Sequence, residues 1–263
     1  MDLRGSFLVL PMLILFSGCG ESPEHHESRL KQVGTALVGF HQRNDVFPLA
    51  NGLPAVGARI DEEGVPAKIG LSWRVHLLPL LGHVELYGKF NLDEPWDSPQ
   101  NKALIDQMPA VYNSPGVSEP GKTSLHAIIF ELPNIVTSAS EIPPRAIIHS
   151  CFFSEAQSLM FDPSQKEKPF RQTSCIDGTA NTIALIEAGS DVATEWTRPG
   201  GLKMGPGNCK ECLGDISGGF YAVLASGDVR SLGADIEEDL LEALVTANGL
   251  ETIDGTTVHR LGE

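Results

Sequence analysis

Cysteine supplies the most reactive candidates in this chain. Cys209-Lys210-Glu211-Cys212 is a C-x-x-C, a spacing used by thiol redox pairs and by half of a zinc site. It sits in a glycine-rich stretch, Gly205-Pro206-Gly207-Asn208, not at the start of a helix after a strand, and no second C-x-x-C exists. A structural disulfide or plain thiols therefore stand beside metal binding and redox chemistry as readings. With Cys151 and Cys175 the pair makes an even set of four, which suits disulfides in an exported chain and leaves the pairing open. A second group is built from hard oxygens. Asp93, Glu94, Asp97 and Asn101 crowd one short segment, and calcium takes about six to eight such oxygens. The spacing is not that of an EF-hand, and a turn capped by carboxylates over a buried Trp96 explains the same residues. Calcium is the one cofactor considered. Glu187 closes an apolar strand and is expected to pair with a buried cation. His41, His76, His83, His126 and His149 are scattered and are expected as partly buried polar side chains.

Other chemistry is excluded by spacing. Gly214-Asp215-Ile216-Ser217-Gly218-Gly219 is superficially like a serine nucleophile segment, but the extra Ile216 breaks it and no His–Asp partners support it. No G-x-S-x-G, Walker loop, H-E-x-x-H or dinucleotide fingerprint is present,. Composition narrows the partners. The 263 residues carry a formal charge of −15, with 41% hydrophobic and 20% charged residues. That is a globular balance. It lacks the basic footprint of a nucleic-acid binder and the charge for docking on anionic lipid. The 27 Gly and 18 Pro suit a loop-rich α+β protein better than a helical bundle.

The first residues give an address. Arg4 precedes an apolar run from Phe7 to Phe16, too short to span ~30 Å of hydrocarbon. Small residues follow, ending in Ser17-Gly18-Cys19. This is a secretory signal, and its end resembles the bacterial lipobox, in which Cys19 receives a lipid and becomes the first residue. A prepilin leader cut at Gly5 fits less well, because Ser6-Phe7-Leu8-Val9-Leu10 holds no Glu and Pro11 breaks the helix,. Residues 1–18 are thus expected as signal, 19–26 as a tether with His25 and His26 in solvent, and 27–263 as one domain. More than one acyl chain on Cys19 would make membrane attachment stable. Gly20 is not the Asp associated with inner-membrane retention, which favours the outer membrane.

Periodicity places the elements. Leu30, Val33, Leu37 and Phe40 make an apolar stripe on a helix from Glu27 to about Asn44, ending before Phe47-Pro48. Leu71–Phe90 is a second apolar stretch, capped by Ser72 and split by Pro79; Ser98–Met108 is a shorter helix capped by Ser98 with Pro99 at its first position,. Leu125–Leu132, Ala146–Phe153, Thr182–Glu187, Phe220–Ala225 and Asp228–Leu232 read as strands, the last two as a hairpin through Ser226-Gly227. Asp235–Asn248 is a final helix with Leu240, Leu241, Leu244 and Val245 inward,.

Four segments resemble one family, the bacterial pilin-like proteins catalogued as domain of unknown function 1559. They are residues 29–48 (RLKQVGTALVGFHQRNDVFP), 71–116 (beginning LSWRVHLLPLLGHVELYGKF), 177–189 (DGTANTIALIEAG) and 218–232 (GGFYAVLASGDVRSL). Asn91–Asp97 also resembles the Asp-Pro-Trp region of major pseudopilins of type II secretion. The resemblance implies a long N-terminal helix packed on an antiparallel sheet, with loop insertions. Two departures stand out. The leader is a lipobox, and the H-x9-DG signature of many members has Ile216 for its His and Ser226-Gly227 for Asp-Gly. The expectation is a non-enzymatic, lipid-anchored envelope protein with a structural or interaction role and a protein partner. The alternative is an extracytoplasmic binding protein or enzyme with a pocket built by the insertion 133–175.

Overall fold

The structure is a computed structural model; it describes residues 22–45, 47–48, 70–130, 175, 177–246, 251–254 and 257–260. The expected strand at 146–153, the insertion 133–175 apart from Cys175, and the leader lie outside these residues.

The first helix, α1, spans Pro23–Asn44. Ser22 caps it by accepting the His25 N–H at 3.3 Å, and Pro23 occupies the first helical position, a strong start signal. The helix therefore begins four residues before the expected Glu27 and takes in half of the expected tether. It ends at Asp45, in the left-handed conformation with φ 59°, whose N–H returns to the His41 carbonyl. Leu30, Val33 and Leu37 are fully buried along one face.

The Leu71–Phe90 stretch divides as Pro79 dictates, into α2 (Trp73–His76), a run of turns, and α3 (Val84–Tyr87). Ser72 caps α2 by accepting the Arg74 N–H. The helix expected over 98–108 is shorter. It appears as α4 (Pro99–Lys102), capped by Ser98, followed by single 3₁₀ turns at Ile105–Gln107 and Ala110–Tyr112.

Beyond these, the strands are β1 (Lys122–Thr123), β2 (Leu125–Phe130), β3 (Ile183–Glu187), β4 (Thr194–Glu195), β5 (Leu202–Met204), β6 (Phe220–Leu224) and β7 (Val229–Leu232). Helix α5 (Glu238–Val245) and a hairpin of β8 (Glu251–Asp254) and β9 (Thr257–Arg260) close the chain. The central sheet has the order β5-β2-β3-β6-β7. Its β2–β3, β3–β6 and β6–β7 pairs are antiparallel, as expected. The β2–β5 pair is parallel, which corrects the expectation of a wholly antiparallel sheet. Gly201 lets β5 approach, since a Cβ there would strike the Ala127 carbonyl. β1 and β4 form a separate two-stranded ladder.

The sheet is covered on both faces. Alternation along the strands sends Leu125, Ala127, Ile129, Leu185 and Val223 to the side of α1. It sends Ile128, Phe130, Ile186, Ala222 and Leu224 to the side of α5, against Leu240, Leu241, Leu244 and Val245. A register shift between Ile183 and Leu185 resets β3, so that both Ala184 and Leu185 join the α1 side. The fold is α+β, with α1 on one face of the sheet and α5 on the other.

The crossing of α1 over the β6–β7 turn is backbone on backbone. Gly227, at φ 88°, faces Gly34, and a Cβ on Gly34 would meet the Gly227 carbonyl oxygen. At Gly39, by contrast, an added Cβ would meet only Leu80 Cδ2 at 3.5 Å, an ordinary contact. The two positions predict opposite signs. Gly34→Ala should destabilise the full chain by about 2 kcal/mol or more through overpacking. Gly39→Ala should be neutral to stabilising by up to ~1 kcal/mol through helix propensity. Urea unfolding midpoints of the two variants check this.

Candidate functional site

The densest charged cluster lies where α1 meets β3. Glu187 falls on the α1 side of the sheet, directly across from Tyr221 of β6 in the strand register. His26 and Arg29, three apart on α1 and so on one face, reach it together. His26 Nε2 contacts one carboxylate oxygen, and Arg29 Nη2 meets the other at 3.3 Å. The Arg29 Nη1 donates to the Val111 carbonyl at 3.1 Å. The His26 ring stacks on Tyr221 with centroids 4.5 Å apart. All three side chains are buried, with 5–7% exposure. Glu187 thus finds the buried cation the sequence calls for. His26 is corrected: it is buried in this cluster, not in a solvated tether, whereas His25 is exposed. The missed signal was the helical stripe itself, since Leu30, Val33 and Leu37 extend backward by one turn to position 26.

A second cluster surrounds Arg74, which has no exposed surface. Its Nε donates to the Leu125 carbonyl at 3.1 Å, its Nη2 to the same oxygen, and its Nη1 to Ser72 Oγ at 3.0 Å. The Tyr112 hydroxyl donates to the Arg74 carbonyl at 2.8 Å. The guanidinium carbon also lies 4.7 Å from the Trp73 ring centroid, a cation–π distance. Burial lowers the Arg74 pKa to about 10, so it stays charged at neutral pH. Burial raises that of Tyr112. His126, facing Val192 O at 3.1 Å, is lowered to about 3 by burial and then by the Arg74 charge, so it is neutral.

The remaining candidates are dispersed. Cys209 and Cys212 are free thiols, Cys212 in the 3₁₀ turn Glu211–Leu213 and Cys209 just before it. The Glu238 carboxylate accepts the N–H groups of Cys209 and Lys210, and Glu242 accepts that of Gly207. Burial and then the Glu238 charge push the Cys209 thiol up, and burial with Glu211 and Glu238 raises Cys212. Nucleophilic chemistry and metal binding need the thiolate, so these surroundings work against both. Cys175 is a free thiol bonded to Thr182 Oγ1 at 3.0 Å; Cys19 and Cys151 lie outside the described residues. Asn101 is corrected as a calcium ligand. Its Nδ2 donates to the carbonyls of Asn91, Glu94 and Pro95, and its Oδ1 accepts the Asn91 N–H at 2.9 Å. It closes the turn from inside, while Asp93 and Asp97 point to solvent and Glu94 is half-buried. Among the described residues no three His, Cys, Asp or Glu side chains gather to hold a metal. Trp96 is half-buried under the Arg198 guanidinium, at 5.7 Å. His41 is half-buried and packs on Phe47; His76 and His83 are half-exposed, and His149 lies outside the described residues.

Two outcomes are expected from these clusters. Glu187→Ala removes the buried carboxylate that Arg29 and His26 both reach and should cost about 3–5 kcal/mol in unfolding free energy, read by urea denaturation. His126 gives a pH dependence. The folded state does not protonate it until about pH 3, whereas the unfolded state does so below about 6.5. Between these values the unfolded state binds the extra proton, so stability falls as pH falls, with a slope of up to ~1.4 kcal/mol per pH unit. His126→Gln should flatten the decline between pH 6 and pH 4, checked by unfolding midpoints across that range.

A sequence comparison places these clusters in a known group. The family described as Protein of unknown function (DUF1559) matches residues 27–217, beginning within helix α1, taking in Arg29, the Arg74 segment and Glu187, and ending before the β6–β7 hairpin. No curated protein and no solved structure matches the chain. With well over half of its length matched, the chain belongs to the DUF1559 family.

Proposed function

We propose that this is a non-enzymatic, lipid-anchored protein of the bacterial cell envelope, pilin-like in plan, with a structural or interaction role toward a protein partner. One observation carries the proposal: α1 begins at Pro23, four positions after Cys19, and its first two turns are fixed to the sheet through Glu187. Four extended residues reach at most ~14 Å. An acyl group on Cys19 would therefore mount the domain close against the membrane. Any load on the anchor would pass through His26 and Arg29 into the central strands. A rigid mount suits a module that presents a fixed surface to a neighbour. Further support is the consumption of the strongest ionisable groups, Glu187, Arg29 and Arg74, in internal contacts. Among the described residues no helix is long and apolar enough to cross a membrane, so attachment of this portion would rest on the lipid. The reading implies the extracytoplasmic side of a membrane, with Gly20 favouring the outer membrane.

The test is intact mass spectrometry of the native protein extracted from membranes with detergent. The expected mass is that of residues 19–263 plus a diacylglyceryl group and an amide-linked acyl chain. A mass beginning at Ser6 with an N-methyl group would sink the proposal and make the protein a processed pseudopilin.

A further inference from the structure

Arg74 poses a problem that its visible contacts do not solve. A guanidinium has five N–H donors. Three are used, two by the Leu125 carbonyl and one by Ser72 Oγ. One N–H on each terminal nitrogen is left without an acceptor among the described residues. No carboxylate among those residues pairs with it, and the ionisable side chains around it, Tyr112 and His126, are both neutral. A fully buried charge is strongly unfavourable unless it is paired or coordinated.

Two hydroxyls share the difficulty. Ser124 Oγ and Thr197 Oγ1 are buried with no hydrogen-bond partner among the described residues. Their places in the chain are telling. Ser124 precedes Leu125, the acceptor of Nε and Nη2. Thr197 takes the Ser72 N–H on its carbonyl at 2.9 Å, and Ser72 Oγ is the acceptor of Nη1. The residues that carry the orphaned hydroxyls thus adjoin the two anchor residues of one buried cation, Ser124 along the chain and Thr197 through a backbone hydrogen bond.

We propose that Arg74, with the Ser124 and Thr197 hydroxyls, holds a small monovalent inorganic anion of the halide class as an internal counter-ion. The unused groups can all donate, which calls for a ligand that only accepts. A water molecule would satisfy hydrogen bonds but leave the charge unbalanced. Because Arg74, Ser124 and Thr197 have no exposed surface, the ion must be small enough to be enclosed as the chain folds, which excludes phosphate esters and nucleotides.

The test uses the processed chain in detergent, with chloride and bromide as probes. Crystals grown with bromide in place of chloride should show an anomalous scattering peak within hydrogen-bonding reach of the Arg74 terminal nitrogens. In solution, chloride should raise the thermal midpoint saturably over gluconate at equal ionic strength, by roughly 5–10 °C at a hundredfold excess over its Kd. Arg74→Met should abolish the chloride dependence. Should that variant fail to fold, Ser124→Ala with Thr197→Val should weaken the half-saturating chloride concentration several-fold. Equal midpoints in chloride and gluconate overturn the proposal, as does an absent peak. A peak without solution dependence also overturns it, since the ion would then bind at crystal concentrations only.

Discussion

A sheet covered on both faces leaves no water for a charge at its centre. In this chain α1 closes one face of the five-stranded sheet and α5 the other. Every ionisable group carried inward must therefore be neutralised by its neighbours or lose its charge. The chain uses three solutions. Glu187 receives Arg29 and His26. His126 gives up its proton and bonds to Val192 as a neutral ring. Arg74 keeps its charge with three of its N–H donors on carbonyl and hydroxyl oxygens, and the proposed anion supplies the balance. The first ties α1 to the sheet, and the third ties the α2 turn to the start of β2. The polar interior therefore decides how the covering elements are hung on the sheet.

These ties fall largely within the family match. The matched span, 27–217, contains Arg29, Arg74, Tyr112, His126 and Glu187. Each of them holds one segment to another: Arg29 joins α1 to both Glu187 and the 3₁₀ turn at Val111, and Tyr112 joins the same turn to α2. The C-x-x-C follows this pattern. Its backbone is gripped by carboxylates of α5 while its sulfurs donate to carbonyls. Side chains whose types suggest chemistry serve here as fasteners between elements.

Much of this was legible in the sequence and some was not, for physical reasons. The 3.6-residue stripe of α1, the Ser72 and Ser98 caps, the break at Pro79 and the β6–β7 hairpin through Ser226-Gly227 are local signals, and the structure keeps them. Glu187 as a buried partner was legible because a carboxylate inside an apolar strand needs a cation. Which cation was not, because His26 and Arg29 are about 160 residues away along the chain. The parallel β5 is three residues long between glycines, too short for any periodicity. The β8–β9 hairpin has the local turn signal Asp254-Gly255,, but its flanking strands are only four residues each, too short for a clear periodicity. Asn101 was misread because an amide surrounded by acids looks like a ligand set, whereas folding turned it inward to three carbonyls.

The paired glycines at the α1 crossing have a consequence for motion. A helix that slides past its neighbour moves by about one turn, ~5.4 Å, to recover its packing. For α1 such a step would bring Leu30 or Val38 beneath the Gly227 carbonyl in place of Gly34, and neither side chain has room there. Gly34, the glycine on that face of the helix, sits in the spot already. The helix thus has one permitted register, and the protein moves with its first helix as a single piece.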